Sequence, residues 1–189
     1  MRWRHLSSTP RARGPLLSHA YDHPLIAAGA GTLGLEILDA LDRVDTIIVA
    51  VGGGGLLTGI AAAVLDAGIR IVAVEPEGAS SLHASLKAGG PVDVVVNSIA
   101  ADSLGARRVS QTAHEVTKSH NVTSVLVTDD AIVAARQNLW DERRVVVENA
   151  AAAAAAALSS HAYVPAAGEK VAVVLCGANT DPIDLVDRG

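Results

Sequence analysis

The chain reads as an α/β protein built on an open, mostly parallel sheet with helices on both faces. Three observations predict this. Apolar runs such as Ile47-Ile48-Val49-Ala50-Val51 and Ile71-Val72-Ala73-Val74 are continuous rather than alternating, so both faces of each strand must be covered. These runs take turns with segments of helical periodicity, the order that strand–helix–strand crossovers require. Glycines punctuate the junctions, at Gly52–Gly55, Gly68 and Gly89-Gly90.

The elements follow in order. Leu33, Ile37, Leu38 and Leu41 share one stripe, which predicts a helix over Thr32–Leu41. Val44–Val51 reads as a buried strand and Leu56–Ala67 as a helix stopped by Gly68. Ile69–Val74 is the next strand and Ala79–Ala88 the next helix. Residues 92–101 suit either a short strand or an extended loop. Ala106–His120 reads as helix, Val122–Val127 as strand, and Asp129–Glu142 as a helix entered through Thr128. A short apolar stretch, Val145–Val147, precedes the alanine run Ala150–Ala157. Alanine favours helix and permits close approach, so this run predicts a helix lying on the sheet, with low-complexity drift as the alternative. Lys170–Leu175 closes the series as a buried strand.

Composition narrows the function classes. With 189 residues, half of them hydrophobic but none Phe, the chain can bury a sizeable core made of Ala, Val, Leu and Ile. A net charge of −5 and the lack of a long basic block argue against nucleic acid. The basic cluster Arg2, Arg4, Arg11 and Arg13 has no apolar signal core behind it, so residues 1–13 are expected to be an irregular N-terminal segment. No apolar run approaches the ~18 residues of a membrane span. A single cysteine, Cys176, rules out an internal disulfide framework and suits a reducing, cytoplasmic location.

The strongest chemical signal is Val49-Ala50-Val51-Gly52-Gly53-Gly54-Gly55-Leu56-Leu57-Thr58-Gly59. A strand feeding glycines into a helix start lets backbone amides and the helix dipole converge on one point, which suits a phosphate. Dinucleotide and Walker patterns both fail here. G-x-G-x-x-G would need glycine at Leu57 or Thr58, and Gly59 is followed by Ile60-Ala61 rather than Lys-Ser/Thr. His114-Glu115 starts a zinc-protease pattern that Lys118 breaks, and the other histidines lack ligand spacing. Ligands of parallel sheets bind beyond the carboxyl ends of strands. Gly52–Gly55, Glu75–Ala79 and Cys176–Asn179 all sit at such ends.

In that order, the motifs resemble the fold-type II pyridoxal-phosphate enzymes, in the serine/threonine dehydratase (ammonia-lyase) branch, with serine racemases as near relatives. The carrying residues are Tyr21-Asp22-His23-Pro24, Ala28–Thr32 with Leu35-Glu36-Ile37, Val51–Leu56, Val74–Ala79, Val146–Ala150 and Leu175–Asn179. The resemblance implies the large-domain portion of a tryptophan synthase β-like fold over residues 14–189, with its N-terminal part and small domain largely missing. It implies pyridoxal 5'-phosphate as cofactor, its phosphate held by the amides of Gly52, Gly53, Gly54, Gly55 and Leu56. Cys176 would meet the pyridine nitrogen; its apolar strand alone would suggest a small buried core residue, but the flanking Gly177 and Asn179 favour the former. Glu148 would stand near the cofactor ring. Glu75 and the carbonyl of Ala79 match a cation site of several relatives, but Ser81 stands where an acid is usual. A weak site or none is expected, with a merely solvated Glu75 as the alternative. Asp102 and Ser103 resemble a loop at the substrate end. Further departures are Ser103 for the usual Gly, Asn149 for Pro and Ala30 for Gln.

Such enzymes hold the cofactor aldehyde on a lysine and grip the substrate carboxylate with a Ser-Gly-Asn-His-type loop. Neither motif is found, and Lys87, Lys118 and Lys170 read as solvated surface groups. The complete family would eliminate water from L-serine or L-threonine, giving a 2-oxo acid and ammonia. This chain alone is expected to be inactive and to associate as a homo- or hetero-oligomer. The alternatives are a non-catalytic fragment pairing with an intact relative, or a degenerate remnant.

Overall fold

The computed structural model describes residues 21–120 and 122–186. The irregular segment expected at residues 1–13 lies outside them. The first helix, α1 (Pro24–Ala40), starts well before Thr32 because two local signals set its entry. His23 Nδ1 accepts from the Leu25 amide at 3.1 Å, and Pro24 occupies the first turn, where its missing N–H costs nothing. Gly29, Gly31 and Gly34 depress its intrinsic helix propensity, which is why periodicity alone places the start too late.

Next come β1 (Thr46–Ala50), α2 (Gly55–Val64), β2 (Arg70–Pro76) and α3 (Ser81–Ala88). Short 3-10 turns follow α2 and β2, and Gly68 stops the first of these at φ 69°. Residues 92–100 form an extended loop, tied by Val94 N–H to the Arg107 carbonyl (2.8 Å) and Asn97 N–H to the Gly78 carbonyl (2.7 Å). A short α4 (Ala101–Leu104) ends it. Then come α5 (Gln111–Ser119), β3 (Thr123–Val127), α6 (Asp129–Arg143), α7 (Asn149–Ser159), β4 (Val171–Val173) and α8 (Ile183–Val186). α5 starts at Gln111 rather than Ala106 because Ser110 caps it, its hydroxyl accepting from Ala113 N–H at 3.1 Å. Thr128 caps α6 in the same way. Val145–Val147 is a connector, and β4 is shorter than the apolar run around it.

All four strands are parallel, in the order β3-β2-β1-β4. Ile48 of β1 pairs with Val72 on one side and Val173 on the other. β1 is buried along its whole length because each face has its own core. Ile48 and Ala50 pack with Val72, Ile132 and the alanines of α7, whereas Ile47, Val49 and Val51 pack with Leu57, Ile60 and Val64. Ala151, Ala152, Ala153 and Ala154 are fully buried, so the alanine run serves close packing rather than sequence drift.

Two features escape sequence reasoning. Arg136, on α6, is buried and braces three segments. Its Nε donates to the Val147 carbonyl (2.8 Å), its guanidinium donates to Thr180 Oγ1 (2.9 Å), and it pairs with Asp184. Glu169 gathers donors at the amino ends of the strands: Thr46 and Tyr163 hydroxyls, the Ala166 amide, and Arg70 at 2.9 Å. These bonds hold the Glu169 carboxyl at a pKa of about 2, chiefly through the two hydroxyls. A carboxyl with a depressed folded-state pKa stabilises the fold above its unfolded pKa and loses that contribution as pH falls. Between pH 5 and pH 2, wild-type protein is therefore expected to lose more stability than Glu169→Gln. Urea midpoints at both pH values test this; parallel losses would contradict it.

Candidate functional site

The site is built at the carboxyl end of β1. Gly52–Gly54 leave the strand, and Gly54 turns the chain into α2 with φ 92°, a conformation that strains any residue with a Cβ. The loop's carbonyls are drawn backward. Ser81 Oγ donates to the Gly52 carbonyl (3.2 Å), the Ser110 amide to the Gly53 carbonyl (3.1 Å), and the Thr58 amide and hydroxyl to the Gly54 carbonyl (2.9 and 2.8 Å). In a trans peptide the carbonyl of one residue and the N–H of the next point in opposite directions. Anchoring these three carbonyls therefore aims the amides of Gly53, Gly54 and Gly55 away from their anchors. The amides of residues 52–56 donate to no acceptor among the described residues.

A cleft of about 330 Å³ opens beside this loop, lined by Gly52–Leu57, Tyr21, Ser103, Leu104, Glu148, Ala150 and Cys176 among others. The topology thus joins Gly52–Gly55, Glu148 and Cys176, which are distant in sequence, along one rim. Cys176 is exposed, so the reading of it as a buried core residue is corrected: it lies beyond the end of β4, where strand packing no longer covers it. Its partial enclosure in the cleft pushes the thiol pKa up, and the nearby Glu148 carboxylate adds to the rise. The thiol is therefore protonated at neutral pH. Gly177 lets the Glu148 carboxylate approach closely: a Cβ there would lie 2.3 Å from Glu148 Oε1 and would push that side chain aside. Ser103 lines the cleft and its hydroxyl donates to Asp102 Oδ1 at 3.0 Å, whereas Asp102 itself is not part of the lining.

Tyr21 received no role from the sequence. Its ring packs on Gly53, where a Cβ would sit 2.2 Å from Tyr21 Cγ, and its hydroxyl donates to the Arg108 carbonyl at 3.3 Å. An aromatic side chain leaves no local signal that it will fold onto a loop thirty residues onward in the chain.

Glu75 is fully buried, so the solvated alternative is corrected. Its carboxylate accepts from Leu82 N–H (2.7 Å) and His83 N–H (2.8 Å), closing the start of α3. Burial raises its pKa to about 7 against the opposing pull of those two bonds. Few charged oxygens are left free around Glu75 and Ala79. Both carboxylate oxygens are engaged by amides, Ser81 donates to the glycine loop, and no cluster of three His, Cys, Asp or Glu side chains suited to a metal occurs among the described residues. A larger hollow of about 450 Å³ lies at the opposite rim, but its arginines Arg43 and Arg70 are already paired with Asp45 and Glu169.

Fold and loop together define an α/β protein with unpartnered amides at a helix start beside a cleft, an arrangement suited to a phosphate ester. The residues fit such a group: free amides point from a helix start, and Leu104, Tyr21 and Ala113 pack so closely on the loop that a Cβ at Gly52, Gly53, Gly54 or Gly55 would crowd them. The family described as pyridoxal-phosphate dependent enzyme matches residues 4–177, and the chain belongs to it. It is 38% identical over 170 residues to a phenylserine dehydratase of Ralstonia pickettii, covering 89% of this chain and 52% of that protein. It is 37% identical over 182 residues to an L-threonine ammonia-lyase of Geobacter sulfurreducens, covering 94% of this chain and 45% of the relative. Among solved structures, a fungal L-serine ammonia-lyase from Rhizomucor miehei superposes with a TM-score of 0.83 at 28% identity, covering 93% of this chain and 59% of that one. Maize serine racemase gives 0.79 at 32% identity, covering 89% and 53%. The chain spans about half the length of the curated relatives it matches. Among the described residues, no helix is long and apolar enough to cross a membrane.

Proposed function

We propose that this chain is the phosphate-holding portion of a pyridoxal-phosphate-dependent L-serine/L-threonine dehydratase. The observation that carries the proposal is the set of unpartnered amides at residues 52–56, aimed from the start of α2. When bound, the cofactor supplies an electron sink that eases loss of the α-proton and of the β-hydroxyl from a hydroxy amino acid. Gly52, Gly53, Gly54, Gly55 and Leu56 bind its phosphate by backbone N–H. The positive end of α2 adds to the attraction. Cys176 stands at the ring end and, as a neutral thiol, hydrogen-bonds the pyridine nitrogen without holding it protonated. That leaves a weaker sink, sufficient for β-elimination, in which departure of the leaving group limits the charge that must be carried. Glu148 flanks the sulfur and Ser103 borders the substrate side.

Lys87, Lys118 and Lys170 are all exposed and none lines the cleft. The lysine and the substrate-carboxylate loop therefore have to come from sequence outside these 189 residues, whether joined to this polypeptide or carried by an associating one. The test is a titration of the purified chain. It is expected to bind pyridoxal 5'-phosphate more tightly than pyridoxal by roughly tenfold or more, as charge-assisted amide bonds to a phosphate imply. With L-serine and cofactor it is expected to form no 2-oxo acid. Equal affinity for the two vitamers would overturn the phosphate assignment, and steady 2-oxo acid formation would overturn the division of labour.

A further inference from the structure

We infer that Ser81 is a positioning residue for the phosphate loop, and that the β2–α3 corner works through this hydroxyl without a cation. The inference deepens the function proposed above and rests on it only for the identity of the phosphate ester.

Glu75 and Ser81 flank one corner, where β2 gives way to α3. Both are fully buried. Glu75 spends its two oxygens on the Leu82 and His83 amides, which fixes the first turn of α3 against the end of β2. That places Ser81, the first residue of α3, beneath the glycine loop, where its hydroxyl donates to the Gly52 carbonyl at 3.2 Å. A serine can do this because its hydroxyl is a donor; an ionised acid at position 81 would be acceptor-only and would repel that carbonyl. The same substitution that removes a charged oxygen from a cation site thus supplies a hydrogen bond to the loop. Because the carbonyl of Gly52 and the amide of Gly53 oppose each other across one peptide plane, this bond sets the direction of the Gly53 N–H. Ser110 and Thr58 hold the next two carbonyls, so Ser81 completes the orientation of the cradle at its strand end.

Hydrogen exchange on the ligand-free full chain tests this without relying on cofactor binding. In Ser81→Ala, the Ser110 and Thr58 amides, which donate to the loop carbonyls of Gly53 and Gly54, are expected to exchange roughly three- to tenfold faster, the change that one net hydrogen bond implies. Amides of β3 and the thermal midpoint should stay near wild type, and Ser81→Thr should restore slow exchange. Addition of Mg²⁺, Ca²⁺ or K⁺ should leave exchange of residues 75–83 unchanged in wild type. Unaltered exchange at Ser110 and Thr58 in Ser81→Ala, or protection of the corner by any of these cations, overturns the inference. A parallel titration with pyridoxal 5'-phosphate separates the two claims. Failure of wild type to bind it counts against the proposed function alone, whereas equal binding by wild type and Ser81→Ala counts against Ser81.

Discussion

Gly54→Ala is expected to weaken pyridoxal 5'-phosphate binding by roughly a hundredfold while leaving the chain folded. Two independent costs meet at this position. Its φ of 92° is disfavoured for any residue with a Cβ. A Cβ would also stand 2.3 Å from Ala113 Cβ and 3.2 Å from Val109 Cγ2, both in the buried core. The cheapest escape is to turn the loop peptides, which would bring a carbonyl toward the phosphate where an amide belongs. Together, strain and crowding amount to about 3 kcal/mol or more, equivalent to roughly a hundredfold loss of affinity if the loop reorganises on binding. Absorbance or fluorescence titration of the cofactor measures it. Gly68→Ala provides the control, because Gly68 shares a left-handed φ (69°) but has open space around it and lies at the other end of α2. It should lower the thermal midpoint modestly and leave binding unchanged. Retention of affinity within about threefold by Gly54→Ala would mean that the phosphate sits elsewhere, since a reorganised cradle cannot keep its charge-assisted bonds.

Much of this arrangement is legible in the sequence for a physical reason: a parallel sheet must bury both strand faces and turn at glycines. The runs around Ile48 and Val72 therefore announce β1 and β2, and Gly52–Gly55 announces the cradle. The parts that the sequence leaves hidden depend on contacts distant along the chain. α1 begins at Pro24 because His23 caps it and α2 packs on its glycines, whereas propensity argues for a later start. Glu75 looks like a solvated acid or a ligand until α3 folds its amides onto it. Arg136 looks like a surface charge until residues 180–184 return to meet it. Tyr21 and Ser81 gain their places through the loop they touch, and nothing in their neighbours along the chain records that loop.

The second large effect is on stability, and it comes from the crossing of α1 and α2. A Cβ at Gly59 would lie 2.3 Å from the Ala27 carbonyl oxygen and 2.6 Å from the Gly31 nitrogen. Both atoms are backbone, so no side-chain rotation relieves the clash and the helices must move apart. Gly31 makes the reciprocal approach, its missing Cβ 3.0 Å from the Gly59 carbonyl oxygen. Helix propensity alone predicts that Gly→Ala is stabilising by up to about 1 kcal/mol. At Gly59 overpacking outweighs that gain, and Gly59→Ala is expected to cost about 2–3 kcal/mol, or roughly 4–12 °C in the thermal midpoint for a chain of this size. Gly29, in the same crossing helix, has nothing within 4 Å of its missing Cβ. Gly29→Ala should therefore raise the midpoint, because only propensity acts there. The opposite signs of two chemically identical substitutions distinguish packing from propensity in one calorimetric comparison. The loss at Gly59 should also reach the site, since separating α2 from α1 displaces the helix whose first turn carries unpartnered amides and shifts Tyr21 from Gly53. Parallel stabilisation by both variants would show that α1 does not pack on α2 through these glycines, and the cradle would then need another support.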